Sequence, residues 1–93
     1  MTYRNRVDAE RARRGSILRI ADALGFGDPV PRGTEYAVLC PFHDDHDPSL
    51  SLSIDRGLWY CFVCGEGGDG IDLVMRARAL GFRDAVAWIN ARA

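Results

Sequence analysis

Three cysteines and two histidines fall between positions 40 and 64 of this chain: Cys40, His43, His46, Cys61 and Cys64. Cys40-Pro41-Phe42-His43 is a C-x2-H pair and Cys61-Phe62-Val63-Cys64-Gly65 is a C-x2-C-G pair, with positions 44–60 between them. Zinc takes four tetrahedral nitrogen or sulfur ligands, and two knuckles at this spacing supply two each. In such a knuckle a tight turn aims two side chains at one point, its backbone N–H groups donate to thiolate sulfur, and the residue after it often needs a positive φ, which Gly65 provides. The intervening segment is long enough for a hairpin that brings the pairs together. With four protein ligands no position is left for a reactive water, so the metal's task is folding.

Other chemistry competes for the same residues. Cys61-x-x-Cys64 alone has the spacing of a redox pair, but no βαβ pattern surrounds it and the C-x2-H pair has no place in that reading. Cys3His ligation of an iron–sulfur cluster is chemically feasible. The odd cysteine count disfavours a disulfide framework. His46 competes with His43 as ligand, but C-x5-H makes a looser knuckle, and His46 reads as an exposed loop residue.

A chain of 93 residues and 10.3 kDa has room for one small domain, marginal without a metal, disulfides or a partner. Its longest apolar run, Leu58 to Cys64, is far below a membrane span, and no apolar signal segment follows Met1, so the cytoplasm is the expected compartment. The formal charge of −1 hides an asymmetry. Positions 1–19 carry six Arg against Asp8 and Glu10, whereas positions 28–69 carry eight carboxylates against Arg32 and Arg56. A basic N-terminal arm, 1–15, precedes an acidic body, 16–93.

Ser16 suits an N-cap and Gly25 a C-terminal stop for a helix over 16–25, with Ile17, Leu18, Ala21 and Leu24 on one face. Strands are expected within 34–64. Ser49 to Ile54 alternates strictly, which predicts Leu50, Leu52 and Ile54 facing a core and three serines facing out. Asp55-Arg56-Gly57 is a turn, and Leu58-Trp59-Tyr60 returns antiparallel with Trp59 and Tyr60 on opposite faces. Asp69 and Asp72 form a capping-box-like pair opening a helix over 69–80 that Gly81 stops. A last helix over 83–91 packs Phe82, Val86 and Ile89 at helical spacing. The expected fold class is small α+β: a short antiparallel β-sheet with zinc knuckles, flanked by N-terminal and C-terminal helices.

The string Cys40 to Ser49, followed by Trp59 to Asp69 and Ile71 to Met75, resembles the CHC2 zinc-finger domain of bacterial and phage DnaG-type primases. The likeness extends over roughly residues 16–90. It departs from the family at Asp45, where Glu is usual, and at His46, where Lys is common. The resemblance implies a small α+β zinc ribbon with one structural Zn²⁺ held by Cys40, His43, Cys61 and Cys64. It also implies recognition of a short initiation sequence on single-stranded template DNA, for RNA primer synthesis by a separate Toprim-type polymerase domain in cis or in trans. No nucleophile–base pair stands in the chain, so it is not expected to be an enzyme on its own.

Single strands are held by stacking platforms beside positive charge. Tyr36, Trp59, Tyr60 and Phe62 are the aromatic candidates, with Arg32 and Arg56 flanking them; Arg32, Tyr36, Arg56 and Tyr60 are the expected DNA contacts. A small ribbon usually buries its bulkier aromatics. The acidic body argues for weak DNA affinity. The alternative is a zinc-stabilised protein-interaction module of a phage or plasmid replication or transcription complex. An Asp44, Asp45 and Asp47 loop could hold Mg²⁺, but reads as a solvated loop capping the knuckle.

Overall fold

A computed structural model describes Ala12 and residues 16–92. The basic arm at 1–15 otherwise lies outside the described residues. The elements run α1 (Ile17–Ala23), β1 (Val30–Arg32), β2 (Glu35–Val38), β3 (Leu50–Ser53), β4 (Leu58–Cys61), β5 (Glu66–Asp69), α2 (Gly70–Arg78) and α3 (Phe82–Arg92). The five strands form one antiparallel sheet in chain order, each pairing with the next.

The register sorts the side chains into two faces. Tyr36 stands opposite Leu52, and Leu52 opposite Trp59; Val38 stands opposite Leu50, and Leu50 opposite Cys61. This inner face packs against the helices. Leu50, Leu52, Val38 and Trp59 join Ile17, Ile20 and Ala21 of α1, Ile71, Leu73 and Val74 of α2, and Val86, Trp88 and Ile89 of α3 in one buried cluster, which Ala12 also enters. The outer face carries Arg32, Glu35, Ser51, Ser53, Leu58, Tyr60 and Gly67.

Local chemistry accounts for the helix ends. Ser16 accepts from the Arg19 amide at 3.5 Å. Asp69 and Asp72 form a complete capping box: the Asp72 amide donates to Asp69 Oδ1 at 2.9 Å and the Asp69 amide to Asp72 Oδ2 at 3.1 Å. The indole N–H of Trp59 donates to the Asp69 carbonyl at 3.0 Å, tying β4 to the start of α2.

Several expectations are corrected. The α1 face is Ile17, Ile20, Ala21 and Leu24, with Leu18 only half-buried, because burial follows the i, i+3, i+4, i+7 spacing. Ile54 is 38 % exposed, because β3 ends at Ser53 and the alternation stops where the turn begins. Helix α2 ends at Arg78, with Ala79 left-handed at φ 53, two residues before Gly81. The sheet extends beyond 34–64 at both edges: β1 lies inside the Gly/Pro cluster and β5 inside the second Gly cluster. The β5 glycines are there for close approach. A Cβ on Gly67 would meet the Trp59 carbonyl oxygen at 2.5 Å and Tyr60 Cδ1 at 2.9 Å, and one on Gly68 would collide with the Asp72 side chain.

Candidate metal centre

Both knuckles sit at one end of the sheet, the first after β2 and the second after β4. Strand pairing brings them together, since Leu50, just past the first knuckle loop, is in register with Cys61. The sulfurs of Cys40, Cys61 and Cys64 and a ring nitrogen of His43 lie within 4.8 Å of one another. Cys40 Sγ and Cys64 Sγ are 3.8 Å apart, and Cys61 Sγ is 3.5 Å from His43 Nε2. A tetrahedral zinc with Zn–S of about 2.3 Å and Zn–N of about 2.0 Å demands edges of roughly 3.8 Å and 3.5 Å. The four residues are positioned to bind one zinc ion. His46 is outside the cluster; its side chain is 86 % exposed, with Nε2 3.5 Å from Asp44 Oδ2.

The surroundings orient the ligands. The Cys64 amide donates to Cys61 Sγ at 3.3 Å, and Gly65 turns with φ 69, as the C-x2-C-G pattern predicts. His43 Nδ1 lies 3.3 Å from the Asp44 carbonyl oxygen. A proton on Nδ1 donated there leaves the Nε2 lone pair to face the sulfurs. Asp45 gathers the first knuckle with one oxygen: Oδ2 accepts from the Cys40 amide at 2.8 Å, the Ser49 hydroxyl at 2.9 Å and the Ser49 amide at 3.2 Å. Those bonds hold its carboxyl below the ordinary aspartate value, the Cys40 amide contributing most. Ser49 does not face solvent as the alternation predicts. It precedes β3, and its hydroxyl sits 3.2 Å from His43 Nε2 and 3.6 Å from Cys61 Sγ.

Burial pushes the Cys40 thiol up to about 12. At Cys61 burial is outweighed by the Cys64 amide, the Ser49 hydroxyl and the His43 ring, which lower its thiol to about 6. Burial also raises Cys64, against the pull of the Arg76 guanidinium. The hydrogen bond to Cys61 raises His43. Arg76 joins the two knuckle regions: its Nη1 is 2.5 Å from Glu66 Oε2, and its Cζ lies 4.4 Å from the centre of the Phe42 ring. Phe42 in turn packs on Trp59 at 5.8 Å between ring centres.

The outer face forms a groove of about 440 Å³, lined among others by Glu35, Ser51, Ser53, Arg56, Tyr60 and Gly67. Of the four expected DNA contacts, Arg56 and Tyr60 meet in this groove, and Arg32 stands on the same face across from Glu35. Tyr36 does not: its register partner is Leu52, and it packs half-buried against the core. Trp59 and Tyr60 divide as expected, 4 % and 45 % exposed. Phe62 departs from the expectation that bulky aromatics are buried. It is 72 % exposed at the knuckle tip, edge-on to Tyr60 at 5.3 Å. The knuckle itself signals this, since both residues between its ligands point away from the metal. Nothing in the sequence pattern marked Glu35.

Among the described residues no helix is long and apolar enough to cross a membrane. Residues 30–93 match the family model of the CHC2 zinc finger. The chain is 41 % identical to a DNA primase of Lactococcus lactis over 72 residues, which are 76 % of this chain and 11 % of that protein. It is 50 % identical to a DNA primase of Streptomyces coelicolor over 48 residues, 52 % of this chain and 8 % of that one. The crystal structure of the Aquifex aeolicus primase, comprising zinc binding and RNA polymerase domains, superposes with a TM-score of 0.74 at 30 % identity, covering 91 % of this chain and 21 % of that one. The chain thus spans about a tenth of the length of these curated relatives.

Proposed function

The chain belongs to the CHC2 zinc-finger family of DnaG-type primases, and we propose that it is the part of such a primase that binds single-stranded template DNA and selects the site where primer synthesis starts. In this reading Cys40, His43, Cys61 and Cys64 hold the zinc, which supplies folding energy, and priming chemistry belongs to a polymerase domain in the same protein or supplied in trans. The observation that carries the reading is the outer groove, where an exposed Tyr60, the Arg56 cation and the Ser51 and Ser53 hydroxyls converge. An aromatic ring beside a cation is what a single strand requires, and stacking is worth about 1–3 kcal/mol per base.

The acidic body sets the expected strength. Phosphate affinity comes from cations, and on this face the described residues offer Arg32 and Arg56. Binding by the isolated module is therefore weak and only mildly salt-dependent. Arg4, Arg6, Arg11, Arg13 and Arg14, or the polymerase domain, add the remaining charge.

The test is fluorescence anisotropy of the zinc-loaded chain with short single strands that differ at one trinucleotide, at low salt. Sequence-dependent binding that Tyr60→Ala weakens at unchanged zinc content is expected. No binding to any strand, alone or with a polymerase domain added, overturns the reading. Phe62 and Val63, 72 % and 67 % exposed at the knuckle tip, favour a second reading in which that tip docks on a replication protein. Replacing both with Ser would then abolish partner capture and leave strand binding intact.

A further inference from the structure

Glu35 is out of place on a surface that receives a polyanion. It lines the same groove as Tyr60 and Arg56, from the strand two away from Tyr60. Its Oε1 accepts the Ser51 hydroxyl hydrogen at 2.5 Å, and Ser51 is the direct register partner of Tyr60. Ser51 faces Ala37 on β2, so Glu35, two residues before Ala37 on the same outer face, reaches Ser51 diagonally and stands one step along the groove from the Ser51–Tyr60 pair. The hydrogen bond fixes the carboxylate beside Ser51 and spends the one hydroxyl hydrogen that Ser51 has to give. That side of the groove then presents acceptors. Repulsion of a phosphate backbone by this carboxylate is offset only where the ligand brings N–H donors to it.

We infer that Glu35 is a specificity-determining residue and that the groove selects guanine. An ionised carboxylate offers two oxygens side by side and pairs best with two parallel N–H donors. On its Watson–Crick edge guanine carries N1–H and the N2 amine next to each other. Adenine and cytosine each bring one amine beside a ring acceptor, and thymine brings one N–H between two carbonyls. In a single strand that edge is free to be read. A guanine stacked beside Tyr60 with this edge toward Glu35 makes both bonds, while Arg56 in the β3–β4 turn takes the charge of a neighbouring phosphate. The inference rests on the single-strand reading above and adds the base and the residue that chooses it.

The experiment is anisotropy of the zinc-loaded chain with an oligo-dT strand carrying one central substitution: dG, dA, dC or deoxyinosine, which lacks only the N2 amine. The dG strand should bind at least about tenfold tighter than the dA or dC strand, and deoxyinosine should lose severalfold of that gain. Glu35→Gln, whose amide replaces one acceptor with a donor, should bring the dG and dA strands to within about twofold while keeping its zinc. Strands that bind without preference for dG, or deoxyinosine binding as well as dG, overturn the inference and leave single-strand binding standing. Failure of every strand to bind overturns the reading beneath it. The deoxyinosine comparison uses the unaltered protein and does not depend on the variant folding.

Discussion

Leu52 and Ile54 lie two residues apart in one alternating segment, the first in β3 and the second in the turn after it, and truncating them should have different consequences. Leu52 is fully buried in the central strand, between Tyr36 on β2 and Trp59 on β4. Leu52→Ala removes three carbons, about 2.5 kcal/mol of transfer free energy at roughly 0.8 kcal/mol each. The neighbours are held by strand pairing on both sides, so the space does not collapse and a cavity term is added. The total is about 3–4 kcal/mol, within the range for buried leucines. Ile54→Ala also removes three carbons, but from a turn residue that is 38 % exposed, and the cost should stay below about 1.5 kcal/mol. The assay is urea unfolding at one fixed, saturating free zinc concentration, so that the metal's contribution is common to all proteins. Equal m-values make the midpoints comparable. Equal losses at the two positions, or a loss below about 1.5 kcal/mol at Leu52, would refute the register on which both the core and the groove depend.

Other perturbations test the metal centre and the helix ends. Cys64→Ser should abolish zinc retention and cooperative folding together, read by metal content and circular dichroism. Removing the acceptor in Asp45→Ala should weaken zinc about 10–100-fold in a chelator competition, while Asp45→Asn, which keeps one oxygen, should lose less. Cys40 and Cys64 lie above the ordinary thiol value and stay protonated at neutral pH, so zinc binding at pH 7 should release about two or more protons, measured calorimetrically in buffers of different ionisation enthalpy. Affinity therefore rises with pH, and below about pH 6, where Cys61 also takes up its proton, it should fall more steeply. Ala79→Gly should raise the midpoint of thermal unfolding, by about 1 kcal/mol or less in stability, because only glycine adopts the left-handed cap without strain.

The metal centre was legible because zinc fixes both residue type and spacing. The core of β3 was legible at Leu50 and Leu52, where a period of two repeats long enough to be seen. Glycine defeated the reading at β5: the same residues that signal a turn permit Gly67 to lie against Trp59 and Tyr60. β1 is three exposed residues with a proline in the middle, an edge strand defined by its partner and not by its own propensity. Ser49 and Asp45 were hidden for a different reason. Their roles depend on the Cys40 and Ser49 amides meeting at one carboxylate oxygen, which no linear pattern reports.

The sheet's strand order also carries a kinetic meaning. Each strand pairs with its sequence neighbour, and three of the four pairings close over short connections, a topology that favours rapid folding. The costly step is the 39–49 connection between β2 and β3, the longest within the sheet, which must close before those strands align. Cys40 and His43 lie at the start of that connection and Asp45 fastens it to Ser49 at its end. The first knuckle is therefore a device for shortening the search: it removes slack from the one loop whose closure the strands cannot hasten themselves.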